Sequence, residues 1–124
     1  MRLVDSSAWI EWLIGSPVGE TIVEHLPEQD AWLIPTMVQF ELAKWLTREC
    51  GESIADQVIA FTQVCSIAPL DTEIALAAAE ICRLHGLASA DAIILATARA
   101  HDADLLTCDR HFEGLPGVIL IPKT

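Results

Sequence analysis

"LASADAIILATARAHDADLLTCDRHF", residues 87–112, reads as an apolar helix, a polar turn, an apolar strand and a second turn. Asp91 stands at the head of the helix and Asp109 just past the strand. An ionised carboxylate loses heavily on leaving water unless a positive or hydrogen-bonding group meets it, so acids beside such apolar runs need a reason. The surrounding chain supplies it.

Upstream and downstream, "RLVD" (2–5), "AWLIP" (31–35), "DLLT" (104–107) and "VILI" (118–121) read as short buried strands, with "SIAPL" (66–70) a weaker fifth. Helical patterns fill the intervals: Ser7 to Ile14, Val18 to Leu26, Met37 to Cys50, Ser53 to Val64, Thr72 to His85 and Ala90 to His101. "HG" at 85–86 stops a helix, whereas "DTE" (71–73) and "SAD" (89–91) start one. Strands alternating with helices imply an α/β fold, a mostly parallel sheet of about five strands with helices on both faces.

A chain of 124 residues has the size of one domain, so a single unit over 1–124 is expected. With 52% hydrophobic residues and a mean hydropathy of +0.42 it is more apolar than most soluble domains, yet its apolar runs are too short to span a bilayer. Extra apolar surface then meets a protein partner. "MRLVDSSAWIEW" breaks into charge at once and lacks the run and cleavage site of a signal peptide, which points to the cytoplasm. Cys50, Cys65, Cys82 and Cys108 form no C-x-x-C pair, so reduced and mostly buried thiols are expected.

Eighteen acids against seven bases give a net charge of −11, a poor match to proteins that hold nucleic acid by basic patches alone. That objection fails if several acids converge on divalent cations, which invert the local charge a phosphate meets. Ligands of open parallel sheets bind outside the carboxyl ends of the strands, where strand order reverses. Asp5 closes the first strand and Asp109 follows "DLLT". If 104–107 runs parallel to the first strand, the helix feeding it begins at that same edge and carries Asp91 there. Glu41, early in the helix after "AWLIP", joins them. Each acid alone has an ordinary reading: Asp5 and Asp109 as turn or N-cap acids, Asp91 as a helix-dipole acid, Glu41 on a solvated face. Four acids on one edge would repel unless cations hold them. Oxygen ligands without His or Cys favour Mg²⁺ or Mn²⁺.

"LVDSSAWIEWL", "MVQFELAKWL", "LASADAIILATA" and "LLTCDRHFEGLPGV" resemble, in that order, the four acidic segments of PIN-domain ribonucleases, and most of all the VapC toxins of bacterial toxin–antitoxin pairs. The resemblance covers nearly the whole chain. It implies a PIN-like three-layer fold and a metal-dependent endoribonuclease. Asp5, Glu41, Asp91 and Asp109 match the family's metal-binding acids, which would also be the catalytic set. Ser6 and Thr107 match its hydroxyl residues, which orient a carboxylate or a water on the metal. The fourth segment varies most in the family, and Glu113 is a substitute for Asp109. The family pairs as homodimers, and a basic antitoxin of the VapB kind would suit this acidic chain and block its pocket.

Hydrolysis at such a site requires no side-chain nucleophile, and His111, a lone turn histidine, is left out of the catalytic set. Lys44 and Arg48 follow Glu41 by three and seven residues, and Arg110 adjoins Asp109. All three either contact RNA or pair with nearby acids on the surface. Arg2 and Arg99 carry less positional evidence. Trp9, Trp12 and Trp45 fill the core by default, and the alternative is a groove for an antitoxin helix. Rival functions are an RNA-processing PIN-like nuclease without antitoxin, a Mg²⁺-binding receiver-like signalling module and a catalytically silent binding protein. A receiver expects adjacent acids after its first strand and an aspartyl phosphatase expects D-x-D, and "VDSS" offers neither.

Overall fold

The computed structural model describes residues 1–123. Strands β1 (Arg2–Val4), β2 (Trp32–Pro35), β3 (Ser66–Ala68), β4 (Asp104–Thr107) and β5 (Val118–Leu120) form one sheet in the order β3-β2-β1-β4-β5. All four pairings are parallel, with Leu3 opposite Leu33 on one side and Leu105 on the other. Helices α1 (Ser6–Ile14), α2 (Pro17–Val23), α3 (Thr36–Cys50), α4 (Glu52–Gln63), α5 (Thr72–His85) and α6 (Ser89–Ala100) flank it. Successive strand residues point to opposite faces, and every residue of β2 is buried, so helices cover both faces. Strand order reverses between β1 and β4, which places the ligand crevice outside their carboxyl ends.

The element boundaries differ from the sequence reading where local chemistry intervenes. β1 ends at Val4, and Asp5 becomes the extended N-cap of α1, its carboxylate accepting the Ser6 N–H. α2 stops at Val23 rather than Leu26, because the N–H groups of Glu24, His25 and Leu26 bond three residues back, in tighter turns that lead to Pro27. A 3-10 turn over Gln29–Ala31 then leads into β2. β3 pairs with β2 alone and ends before Pro69, as suits an edge strand. Between α5 and α6 the chain turns by 117°, with Gly86 in the left-handed conformation as the cap of α5. That crossing, which spacing cannot give, brings the start of α6 to the carboxyl edge of the sheet. Among the described residues no single helix is long and apolar enough to cross a membrane.

Trp9, Trp12, Trp32 and Phe61 form one aromatic cluster with ring centroids 4.9–5.9 Å apart, tying α1 to β2 and α4. Trp45 lies outside it, half-buried on α3. All four cysteines are free, but only Cys108 is buried, against the expectation of mostly buried thiols. Cys50 is exposed at the last turn of α3, and Cys65 and Cys82 are half-buried on the outer layer. Burial pushes the Cys108 thiol up to about 11, which keeps it protonated and unreactive.

α2 rests directly on the backbone of α1. A Cβ at Gly19 would lie 2.1 Å from the Glu11 carbonyl oxygen and 2.8 Å from its carbon. Gly19→Ala must therefore push the two helices apart, and a loss of at least about 1–3 kcal/mol is expected. Urea unfolding of the variant measures it, and an unchanged midpoint would refute the tight contact.

Candidate metal centre

Asp5 is the only charged side chain among the buried described residues, at 6% exposure. Its N–H donates to Leu106 O of β4 at 2.9 Å, which fixes it in the crevice between β1 and β4. Three donors meet its carboxylate: Ser6 N–H at 2.9 Å on Oδ1, with the Thr107 and Ser7 hydroxyls at 2.8 and 2.9 Å on Oδ2. Backbone N–H groups of Asp109 and Cys108 donate in turn to Thr107 Oγ1 at 3.0 Å and Ser7 Oγ at 3.1 Å. A hydroxyl has one proton to give, so each of these, already accepting from backbone, directs that proton at Asp5. Burial pushes the Asp5 carboxyl above its ordinary range and the Asp91 charge adds to the rise, while the three hydrogen bonds oppose both.

Glu41, in the second turn of α3, accepts the Ser6 hydroxyl on Oε1 at 3.2 Å. Burial and the Asp5 charge raise its pKa. Asp91 sits in the first turn of α6 but does not cap it; the N-cap is Ala88, and no side chain bonds the free N–H groups. Its Oδ2 instead lies 3.1 Å from His111 Nδ1. Burial and the Asp109 charge push the Asp91 carboxyl up, against the His111 bond. Asp109 caps the short turn Arg110–Phe112, its Oδ1 accepting His111 N–H at 2.9 Å and lying 3.2 Å from His111 Nδ1.

Asp5, Ser6, Glu41, Asp91, Asp109 and Lys123 line one cavity of about 260 Å³. The four acids named from sequence thus share a single opening. Glu113 does not line it, pairing instead with Arg110 at 3.4 Å on the exposed side of the turn. Lys44 and Arg48 line an adjoining cleft beyond Glu41, where Arg48 Nε also holds Glu49 at 2.9 Å. Arg2 lies at the opposite end of the sheet, bound to Asp104 and the His25 carbonyl. Arg99 lines a groove between α5 and α6.

Ser7 and Lys123 escaped the sequence reading, and His111, set aside there, touches the site after all. Ser7 was legible as the second hydroxyl of "DSS". His111, with a side chain 70% exposed, contacts two acids because fully buried Phe112 anchors the turn and Asp109 caps it. A Phe beside the turn was its one signal. Lys123 arrives because Ile121 N–H bonds Thr107 O at 2.9 Å and carries the C-terminal segment past the end of β4, a contact that pattern does not reveal.

Ligand atoms of Asp91, Asp109 and His111 lie within 4.8 Å of one another, with Asp5 and Glu41 on the same cavity. This donor set fits a divalent cation, since carboxylates partly stripped of water and repelling one another gain most from nearby positive charge.

The family model of the PIN domain matches residues 2–118. No curated protein matches the chain by sequence. Among solved structures, the chain is similar to one from a toxin–antitoxin complex of Klebsiella pneumoniae, at 24% identity and a TM-score of 0.84 over 100% of both chains. It is similar to a chain of FitAcB from Neisseria gonorrhoeae at 21% identity and a TM-score of 0.79, over 98% of each. It also resembles VapC20 of Mycobacterium tuberculosis, described as a toxin that cleaves the sarcin–ricin loop, at 19% identity and a TM-score of 0.76, over 95% of this chain and 97% of that one. A wholly parallel sheet with acids gathered at its switch point, matched by the family model over nearly its full length, makes this chain a member of the PIN-domain family.

Proposed function

We propose that the chain is a divalent-metal-dependent endoribonuclease and the toxin of a toxin–antitoxin pair, with Asp5, Glu41, Asp91 and Asp109 holding Mg²⁺ or Mn²⁺. The observation that carries this reading is the convergence of four acids, from four separate chain segments, on one cavity at the sheet's switch point. When bound, the metal supplies activated water and neutralises charge on the phosphate. The chain's own residues do the rest. Ser7 and Thr107 favour the anionic form of Asp5 against the effect of its burial and fix its plane, and Ser6 steadies Glu41. His111 bridges Asp91 and Asp109, and Lys123 gives the cavity a positive wall toward an incoming phosphate.

The toxin assignment draws on the neighbours, two of which are described as a toxin–antitoxin complex and as an RNA-cleaving toxin. On this reading a small basic antitoxin complements the net charge of −11, and the chain pairs as a homodimer. Membership of the PIN family leaves the receiver-like alternative without support. Incubation of purified chain with total RNA tests the activity. Cleavage should require Mg²⁺ or Mn²⁺ and stop with EDTA, and RNA left intact with either metal would overturn the reading.

Metal should also stabilise the fold. The folded-state pKa values of Asp5, Glu41 and Asp91 lie above their unfolded values. Their stabilising contribution is therefore present below the unfolded carboxylate range and lost as pH rises through the folded values. A cation replaces the lost protons. At ten times its Kd, Mg²⁺ adds about 1.4 kcal/mol, or roughly 5 °C in Tm. The Mg²⁺-induced shift should be larger at pH 7 than at pH 5, and scanning calorimetry showing equal shifts would contradict binding at these acids.

A further inference from the structure

Phe40 is the one exposed aromatic ring among the described residues, at 61% exposure. α3 does not need it for packing. Its buried positions are Val38, Leu42 and Leu46, spaced by four, and Phe40 falls on the far side of the helix from Val38 and Leu42. Glu41, Lys44, Arg48 and Phe40 share one flank of α3 and line a cleft of about 280 Å³. Ser6, Ile10 and Glu41 belong to both this cleft and the acid cavity, so the two are continuous. The Lys44 ammonium lies 5.9 Å from the Phe40 ring centroid.

A single exposed apolar side chain needs no explanation by itself. Here the ring begins a row along α3 in which Lys44 and then Arg48 follow at successive turns, in a chain with only seven Lys and Arg, and the cleft they line opens into the acid cavity. We infer that Phe40 is a stacking platform for a nucleobase of single-stranded RNA, with Lys44 and Arg48 meeting the flanking phosphates. Bases stack on aromatic rings regardless of sequence, and cations beside the ring track the backbone. A basic protein partner fits this cleft less well, since Lys44 and Arg48 repel it. The platform would hold the strand next to the scissile bond, so Phe40 is a positioning residue that raises affinity and leaves the chemistry to the acids. This inference rests on the ribonuclease reading.

The test uses a fluorescein-labelled RNA octamer pool of random sequence and an abasic octamer with the same ribose-phosphate backbone. Anisotropy is read in EDTA, and KM and kcat are read in Mg²⁺ with the RNA pool. Wild type should bind the RNA pool more tightly than the abasic octamer. Phe40→Ala should weaken RNA binding by roughly ten- to a hundredfold, the loss of one stacked base, and raise KM with little change in kcat. Its affinity for the abasic octamer should not move, and Phe40→Trp should restore RNA binding. Equal affinity of Phe40→Ala and wild type for the RNA pool would overturn the inference while cleavage by wild type left the nuclease reading standing. An unchanged RNA affinity combined with loss of a co-purifying protein would also overturn it, assigning the ring to that partner. Failure of wild type to bind or cut RNA at all would remove both.

Discussion

Asp91→Asn should cut metal-dependent RNA cleavage by about a hundredfold or more while leaving the Tm of the metal-free chain no lower than that of wild type. The rate loss is the size expected when one principal electrostatic element of a transition state is removed. The stability result follows from what Asp91 touches. Its carboxylate caps nothing on α6 and bonds only His111, which an amide of the same shape still reaches. Burial and the charge of Asp109 both work against its ionisation, so a neutral side chain relieves a cost. A capping role would give the reverse pattern: a loss of about 0.5–2 kcal/mol with cleavage per folded molecule intact. Melting curves and single-turnover cleavage on the same preparations separate the two, and a destabilised but fully active variant would sink the assignment. Asp5→Asn should lose cleavage to a similar degree but also stability. An amide nitrogen at one position opposes the Ser6 backbone N–H, and at the other it forces the Ser7 and Thr107 hydroxyls to reverse and leaves their protons without the acceptor both now use. A cost of about 1–3 kcal/mol is expected. The double variant should be little slower than either single one, since the two acids act as one unit.

Trp9→Ala should lower stability by about 3–5 kcal/mol, equivalent to roughly 10–20 °C in Tm for a chain of this size. Trp9 is almost fully buried, with ring centroids 4.9 Å from Trp32, 5.5 Å from Trp12 and 5.9 Å from Phe61. Truncation opens a cavity at the joint of α1, β2 and α4, and the strands on one side prevent collapse. Trp9→Phe should cost far less. It keeps a ring in the cluster and removes an indole N–H that is buried without a protein partner. Chemical denaturation of the three proteins gives the comparison, and equal losses for Ala and Phe would show that ring packing is not what the position supplies.

Much of this molecule is legible in its sequence, because an α/β sheet follows from a coarse signal. Apolar runs of strand length alternating with amphipathic helices dictate parallel pairing, and parallel pairing puts every strand end and every following helix start on one edge. Asp5, Glu41 and Asp109 are placed at that edge by this argument alone. Asp91 needed one more step, since the 117° turn after Gly86 depends on how α5 and α6 pack. What the sequence conceals is the side-chain network. The Thr107 hydroxyl meets Asp5 across 102 positions of chain, and Lys123 arrives on the segment after β5, which contributes no acid. Trp45 shows the same limit. It packs against the core, as helical spacing suggests, and also lines the cleft beside Lys44, because periodicity ranks a helix face without saying which neighbour covers it.

The sheet order has a consequence for synthesis. β1 is made first yet lies in the middle of the sheet, and its partner β4 comes from the last fifth of the chain. A chain emerging from the ribosome therefore carries Asp5 long before it carries Thr107, Asp109 or the cap that brings in His111. No fragment that stops before Asp109 holds the complete set of acids, and the carboxylate that the finished fold buries stays hydrated until β4 closes over it. The centre is assembled by β4, β5 and the turn between them, so it comes into being only after those segments have joined the strands made before them.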